Sequence, residues 1–163
     1  MKIENSIIKK LRALLGERLI GVNIQKERRI FIKVTREAFK ETIKNLVNRL
    51  GFKHLSTITG IDLGKELEVI YHLSYKGAIE LSLKVSLPKN EAKLPTVTDV
   101  IPGALLYERE VHDLLGVIFE GHPDLSPLLL PEKWPRDVYP MRKEENLESL
   151  RKAIFENSHV EGL

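Results

Sequence analysis

Every proline of this chain lies beyond its midpoint. None precedes Pro88, and all eight fall at Pro88, Pro95, Pro102, Pro123, Pro127, Pro131, Pro135 and Pro140. Proline has a fixed φ and no backbone N–H, so it is shut out of helix interiors and central strands. Residues 1–87 are therefore free to build a regular packed unit, whereas residues 121–140 are expected to run as an extended, irregular path. Charge divides near the same place. Residues 1–95 hold 19 Lys and Arg against 10 Asp and Glu, and residues 96–163 hold 7 against 13. The chain is thus read as an α+β globular domain over 1–95, a helix and junction over 96–120, and an extended C-terminal arm over 121–163.

Hydrophobic periodicity fills in the first part. Ile7, Ile8, Leu11, Leu14 and Leu15 recur at helical spacing, with Asn5 as N-cap and Gly16 as stop. Two alternating runs, Ile20-Val22-Ile24 and Ile30-Ile32-Val34, predict strands joined through residues 25–28. Phe39, Ile43, Leu46, Val47 and Leu50 trace one helix face, entered through Thr35 and closed by Gly51. Strand patterns return over residues 55–61, 67–75 and 79–87, the last two joined across Lys76-Gly77. In the last run Glu80, Ser82, Lys84 and Ser86 alternate with apolar residues, so one sheet face is buried and the other wet. The order α-β-β-α-β-β-β predicts a mostly antiparallel sheet with helices on one face. After Pro95, residues 105–115 form a helix ended by Gly116, Val117 to Phe119 add a short extended piece, and residues 146–155 close the chain as a helix with Leu147, Leu150 and Ile154 inward.

Composition excludes several functions. The chain has no cysteine, and with it no disulfide, no cysteine nucleophile and no cysteine-ligated zinc or iron–sulfur cluster. Its longest apolar runs fall far short of the roughly 20 residues that span a bilayer. Residues 1–15 lack the pattern of a secretory signal, so a cytoplasmic location is expected. Phosphate-loop, dinucleotide-fingerprint and nucleophile-elbow patterns are missing, and Gly60 and Gly64 lack the third glycine that dinucleotide binding needs. The five histidines, His54, His72, His112, His122 and His159, form no metal-ligand pair of recognisable spacing. No metal site is expected.

The densest ionisable cluster is Glu108, Arg109, Glu110, His112 and Asp113. On a helix Arg109 and Asp113 lie at i,i+4, as do Glu108 and His112. Such a set suits either an acid/base site or a solvated face with local ion pairs worth ~0.3–0.5 kcal/mol each. Leu105, Leu106, Leu114 and Leu115 bracket it, so part of the cluster is expected to be buried, each carboxylate finding Arg109 or backbone donors. The basic first half, with Lys9-Lys10 and Arg12 and with Lys26, Arg28 and Arg29, raises nucleic-acid binding as a rival. Few aromatics interleave with those cations, so there is no stacking platform.

Residues 107–144 carry a resemblance. The string Tyr107-Glu108-Arg109-Glu110, Asp113-Leu114-Leu115-Gly116-Val117, Phe119 and Gly121-His122-Pro123-Asp124-Leu125 resembles the signature of the NADH dehydrogenase (complex I) C-subunit family, which has counterparts in energy-converting membrane-bound [NiFe] hydrogenases. Leu128-Leu129-Leu130-Pro131 with Trp134, and Pro140-Met141-Arg142-Lys143-Glu144, resemble its next segments. Two positions depart from it: Ser126 stands where the family usually has arginine, and Leu106 where it often has tryptophan. The departures point toward a hydrogenase-type branch.

The resemblance implies a non-catalytic peripheral-arm subunit of a complex I-like, membrane-associated oxidoreductase, of hydrogenase or NADH/quinone type. Such a subunit holds no cofactor. It packs against the large catalytic (hydrogenase-like) subunit and helps seat it beside the small iron–sulfur subunit; iron–sulfur clusters and a nickel–iron or quinone site belong to those partners, and the membrane is met only through them. On this reading Glu108, Arg109, Glu110 and Asp113 form an ion-pair network at the junction, and His122, Pro123 and Asp124 begin the partner-binding arm. Leu128 and Trp134 anchor the interface, Arg142 and Lys143 meet the large subunit, and the contact reaches ~1,600 Å² or more. Removal of Arg109 is expected to strand carboxylates. The rivals are a stand-alone nucleic-acid-binding domain and a small hydrolase built on Glu110, His112 and Asp113.

Overall fold

The computed structural model describes residues 2–158. Residues 159–163 of the expected arm, His159 among them, lie outside the described residues. The chain opens with α1 (Lys2–Leu15), then β1 (Leu19–Lys26), β2 (Arg29–Val34), α2 (Phe39–Asn48), β3 (His54–Asp62), β4 (Glu66–Tyr75) and β5 (Ile79–Pro88). The strands form one sheet in the order β1-β2-β5-β4-β3. Its pairs are antiparallel except β2 with β5, which run parallel. The expected α+β class and element order are present; the core face follows the expected alternation in β4 and β5, but the other face is not wholly wet, because Ile70 of β4 and Ser82 of β5 are buried there.

Local chemistry accounts for the turns. Arg28 closes the β1–β2 hairpin at φ 65°. Lys76 and Gly77 take φ 50° and 64°, the twist that suits a tight hairpin, and the Ala78 N–H donates to the Tyr75 carbonyl at 3.0 Å. Leu67, Val69, Tyr71 and Leu73 of β4 meet Leu81, Leu83, Val85 and Leu87 of β5 on one face. All are fully buried beneath the helices. The Phe39 ring of α2 lies 4.9 Å from that of Tyr71, which ties the helical layer to the middle of the sheet.

Beyond β5 a short parallel pair, β6 (Lys93–Pro95) with β7 (Ile118–Glu120), brackets α3 (Ala104–Leu115). This helix packs on β3 at Gly60. A Cβ there would stand 2.3 Å from Leu115 Cδ1 and 3.3 Å from Val111 Cγ1, so glycine sets how close α3 comes. From Gly121 to Asn146 the chain has no helix or strand, as its prolines require, and α4 (Leu147–Ser158) follows.

Four local expectations need correction. Helix α1 begins before Asn5, which lies inside it, although Gly16 does end it, at φ 55°. Thr35 does not cap α2. Its Oγ1 accepts from the Ala38 N–H at 3.4 Å, in the turn leading to the helix. Ile20 points to solvent because a bulge between Leu19 and Gly21 leaves it without a partner on β2. Finally, Leu147 and Ile154 of α4 are exposed, Leu147 by 87%. The apolar face of β4 and β5 is already buried beneath the other helices, and Asn146 Oδ1 caps α4 by accepting from the Glu148 and Ser149 N–H groups without burying the helix.

Candidate functional site

Helix α3 carries the charged cluster, and its period sends neighbouring residues in different directions. Glu108 points into the body. It is fully buried, its Oε1 accepting from the Tyr71 hydroxyl and the Val97 N–H, each at 3.0 Å, and its Oε2 from Thr96 Oγ1 at 2.5 Å. Burial pushes its carboxyl above the usual range, and the three donors and His122 pull the other way. Burial, and then the Glu108 charge, raise the Tyr71 phenol as well. The buried side chain of His122 donates from Nε2 to the Leu105 carbonyl at 3.1 Å, with Glu108 Oε2 at 3.9 Å, while its Nδ1 accepts from the Asp124 N–H. That hydrogen-bond pattern assigns the Nε2–H tautomer.

Arg109 and Asp113 share the opposite side and bind the chain after β7. The Arg109 guanidinium donates to the Ser126 and Pro127 carbonyls and to Ser126 Oγ, each at 3.0 Å, with the exposed Asp124 at 3.6 Å. Asp113 Oδ2 accepts three successive backbone N–H groups, from Leu128 and Leu129 at 2.8 Å and Leu130 at 3.2 Å. Three N–H groups converging on one anion form a nest, here filled by a side chain. Asp124 turns the chain ahead of it, its Oδ1 accepting from the Ser126 N–H at 2.8 Å. These bonds hold the main chain, and the side chains of Leu128 and Leu129 stay 37% and 56% exposed.

A second set of bonds holds residues 139–144. Gly116 ends α3 at φ 73°, and Tyr139 lies against it so closely that a Cβ would meet the ring at 2.5 Å. Arg142 stacks on that ring and donates from Nε to the Leu115 carbonyl at 2.8 Å, a cation on the orphan acceptors of a helix C-terminus. Asp62 Oδ2 accepts from the Lys143 N–H and from Lys89 Nζ, while its Oδ1 takes the Gly64 N–H. Burial would raise its carboxyl, but the Lys89 ammonium and the two N–H groups hold it at about 2. Lys89 also pairs with Glu144. Trp134 is half-buried, its Nε1 donating to the Val138 carbonyl at 2.8 Å.

Thus Glu108, Arg109, Asp113, His122 and Asp124 do gather at one junction, but not as ion pairs within the helix. Arg109 and Asp113 each bind the later chain and not each other, so an Arg109→Ala change strands the Ser126 and Pro127 carbonyls rather than carboxylates. Arg142 and the Lys143 N–H serve contacts inside the chain, while the Lys143 side chain is exposed. Pro123 lies exposed between His122 and Asp124, and Glu110 is half-buried on α3. Glu110, His112 and Asp113 do not converge as a catalytic trio: His112 Nδ1 lies 2.9 Å from the Val117 carbonyl, and Asp113 faces the nest. Tyr71, Thr96, Asp62, Lys89 and Tyr139 carry no sequence signal, because each acquires its role from a residue far along the chain. Among the described residues no helix is long and apolar enough to cross a membrane.

Known proteins resemble the chain in sequence and in fold. Residues 32–150 match the family described as respiratory-chain NADH dehydrogenase, 30 Kd subunit. The chain is 34% identical to the C-subunit of the F(420)H(2) dehydrogenase of Methanosarcina mazei over 153 residues, 87% of this chain and 97% of that one. It is 31% identical to the membrane-bound hydrogenase subunit beta of Pyrococcus furiosus, over 80% of this chain and 78% of that one. A chain in the structure of the membrane-bound sulfane sulfur reductase, an archaeal respiratory membrane complex, superposes with a TM-score of 0.77 at 28% identity, covering 93% of this chain and 91% of that one. The trypsin-resistant fragment (1–134) of Nqo5 gives 0.64 at 30% identity, covering 77% of this chain and all of that one. The chain belongs to the family of the respiratory-chain NADH dehydrogenase 30 Kd subunit, the C-subunit family that residues 107–144 resemble.

Proposed function

We propose that this chain is a non-catalytic peripheral-arm subunit of a complex I-like, membrane-associated oxidoreductase. It packs against the large catalytic subunit, helps seat that subunit beside the small iron–sulfur subunit, and reaches the membrane only through its partners. The observation that carries the reading is the way residues 126–130 are held. Arg109 and Asp113 bind this segment by its main chain, which leaves the Leu128 and Leu129 side chains directed outward. A segment fixed before binding loses little further entropy when a partner covers it, so its apolar side chains contribute most of their burial to affinity. The iron–sulfur clusters and the nickel–iron or quinone site belong, on this reading, to the partner subunits. Relatives from F(420)H(2) dehydrogenase, hydrogenase and sulfane sulfur reductase complexes support a place in an assembly of this kind.

The test is affinity purification of the tagged full chain from its source cells, followed by native mass spectrometry. Co-purification of iron–sulfur and large redox subunits is expected, with loss of the large subunit in a Leu128→Glu, Leu129→Glu variant that melts like the parent. Recovery of the parent chain without redox subunits would refute the reading.

A further inference from the structure

The other end of the molecule carries a second surface, independent of the arm. We propose that the groove between α1 and the free edge of β1 receives an extended acidic segment of a partner polypeptide, which joins the sheet beside β1. The groove has a volume of about 520 Å³ and is lined by Ile8, Lys9 and Arg12 of α1 and by Val22, Asn23 and Ile24 of β1. Strand β1 ends the sheet, with β2 on one side only. Its register with Ile32 and Ile30 directs Val22 and Ile24 to the core side, yet both are only half-buried because the strand order stops there. The result is an apolar floor open along one edge.

The rim is cationic. Among the described residues Lys9 and Arg12 have no ion-pair partner, and the single acid of α1, Glu4, is buried with Oε1 accepting from the Arg28 N–H at 2.9 Å. A groove with an apolar floor, two unopposed cations and an edge strand matches an extended peptide that alternates apolar and acidic side chains. Main-chain groups of an edge strand pair with another main chain, and the pleat sends alternate side chains to floor and rim. The two bulges of β1 leave residues 21–24 as the regular ladder between them, so the added strand is short. Nucleic acid fits less well, since no aromatic ring lines the groove to stack on a base. The whole surface precedes residue 32, where the family match begins.

Titration of the isotopically labelled full chain with a blocked peptide of alternating valine and glutamate, followed by amide NMR at up to millimolar peptide, tests this. Saturable shifts at residues 21–24 are expected, weakening as salt is added. A Lys9→Glu, Arg12→Glu double variant that keeps the parent spectrum elsewhere should bind about tenfold more weakly, the size of one or two exposed charge pairs. An absence of shifts at those amides would overturn the proposal. So would equal binding of a valine–lysine peptide, or of the valine–glutamate peptide N-methylated at alternate residues. Tighter binding of single-stranded DNA to the same amides would overturn it in favour of a phosphate ligand.

Discussion

Replacing Asp113 by alanine removes the one oxygen that gathers the N–H groups of Leu128, Leu129 and Leu130. A hydrogen bond to a charged partner contributes about 1.5–3 kcal/mol. The three here share an oxygen, and water reaches the exposed Leu128 and Leu129 once it is gone, so the total is smaller than three separate bonds. A loss of about 3–4 kcal/mol is expected, within the range for removing one partner of a buried charged contact. Because α3 itself stays anchored through Glu108 and Gly60, the loss is local. Hydrogen exchange at fixed pH reads it directly: the amides of residues 128–130 should exchange about 10²–10³-fold faster, at ~1.4 kcal/mol per tenfold. Those of Leu67 and Tyr71 should not change. Asp113→Asn keeps a neutral acceptor in place and should fall between the parent and the alanine variant. Unchanged exchange at residues 128–130 in the alanine variant would refute the nest as the device that positions the leucines.

Two further outcomes follow from packing and titration. Gly60→Ala should destabilise the protein by about 1–3 kcal/mol, the cost of overpacking, because Leu115 must yield to a Cβ at 2.3 Å; a denaturant midpoint equal to that of the parent would contradict the close approach of α3. Asp62 is held at about 2, below its ordinary 3.8, so its ionised form is stabilised by the fold; that contribution is full above pH 3.8 and is lost as pH falls toward about 2. The amide shifts of Gly64 and Lys143, both donors to this carboxylate, should therefore titrate together in that window, and independent midpoints would break the link between the β3–β4 turn and residues 142–144.

Periodicity is a local property, and what depends on it could be read from the chain. The apolar residues of β4 and β5 recur at every second position because one face of the sheet is covered, and Lys76-Gly77 marks a turn because few residues accept positive φ. The prolines excluded helix and strand between β7 and α4 for an equally local reason. Helix α4 shows the limit of such a reading: its spacing predicts the helix, but burial depends on whether apolar surface remains within reach to receive it, and the core face of β4 and β5 is already buried.

The charged cluster shows the same limit more sharply. Its identity and helical spacing were plain in the residues, whereas its bonds were not. Glu108 finds Tyr71 across 37 positions and Asp62 finds the Lys143 N–H across 81. Sequence alone thus determined which segments could be strands, helices or neither, and which groups would need partners once buried. Tertiary structure alone decided which partners those were, because a buried carboxylate takes whichever donors the packing brings within about 3 Å, and that geometry is set by every element at once.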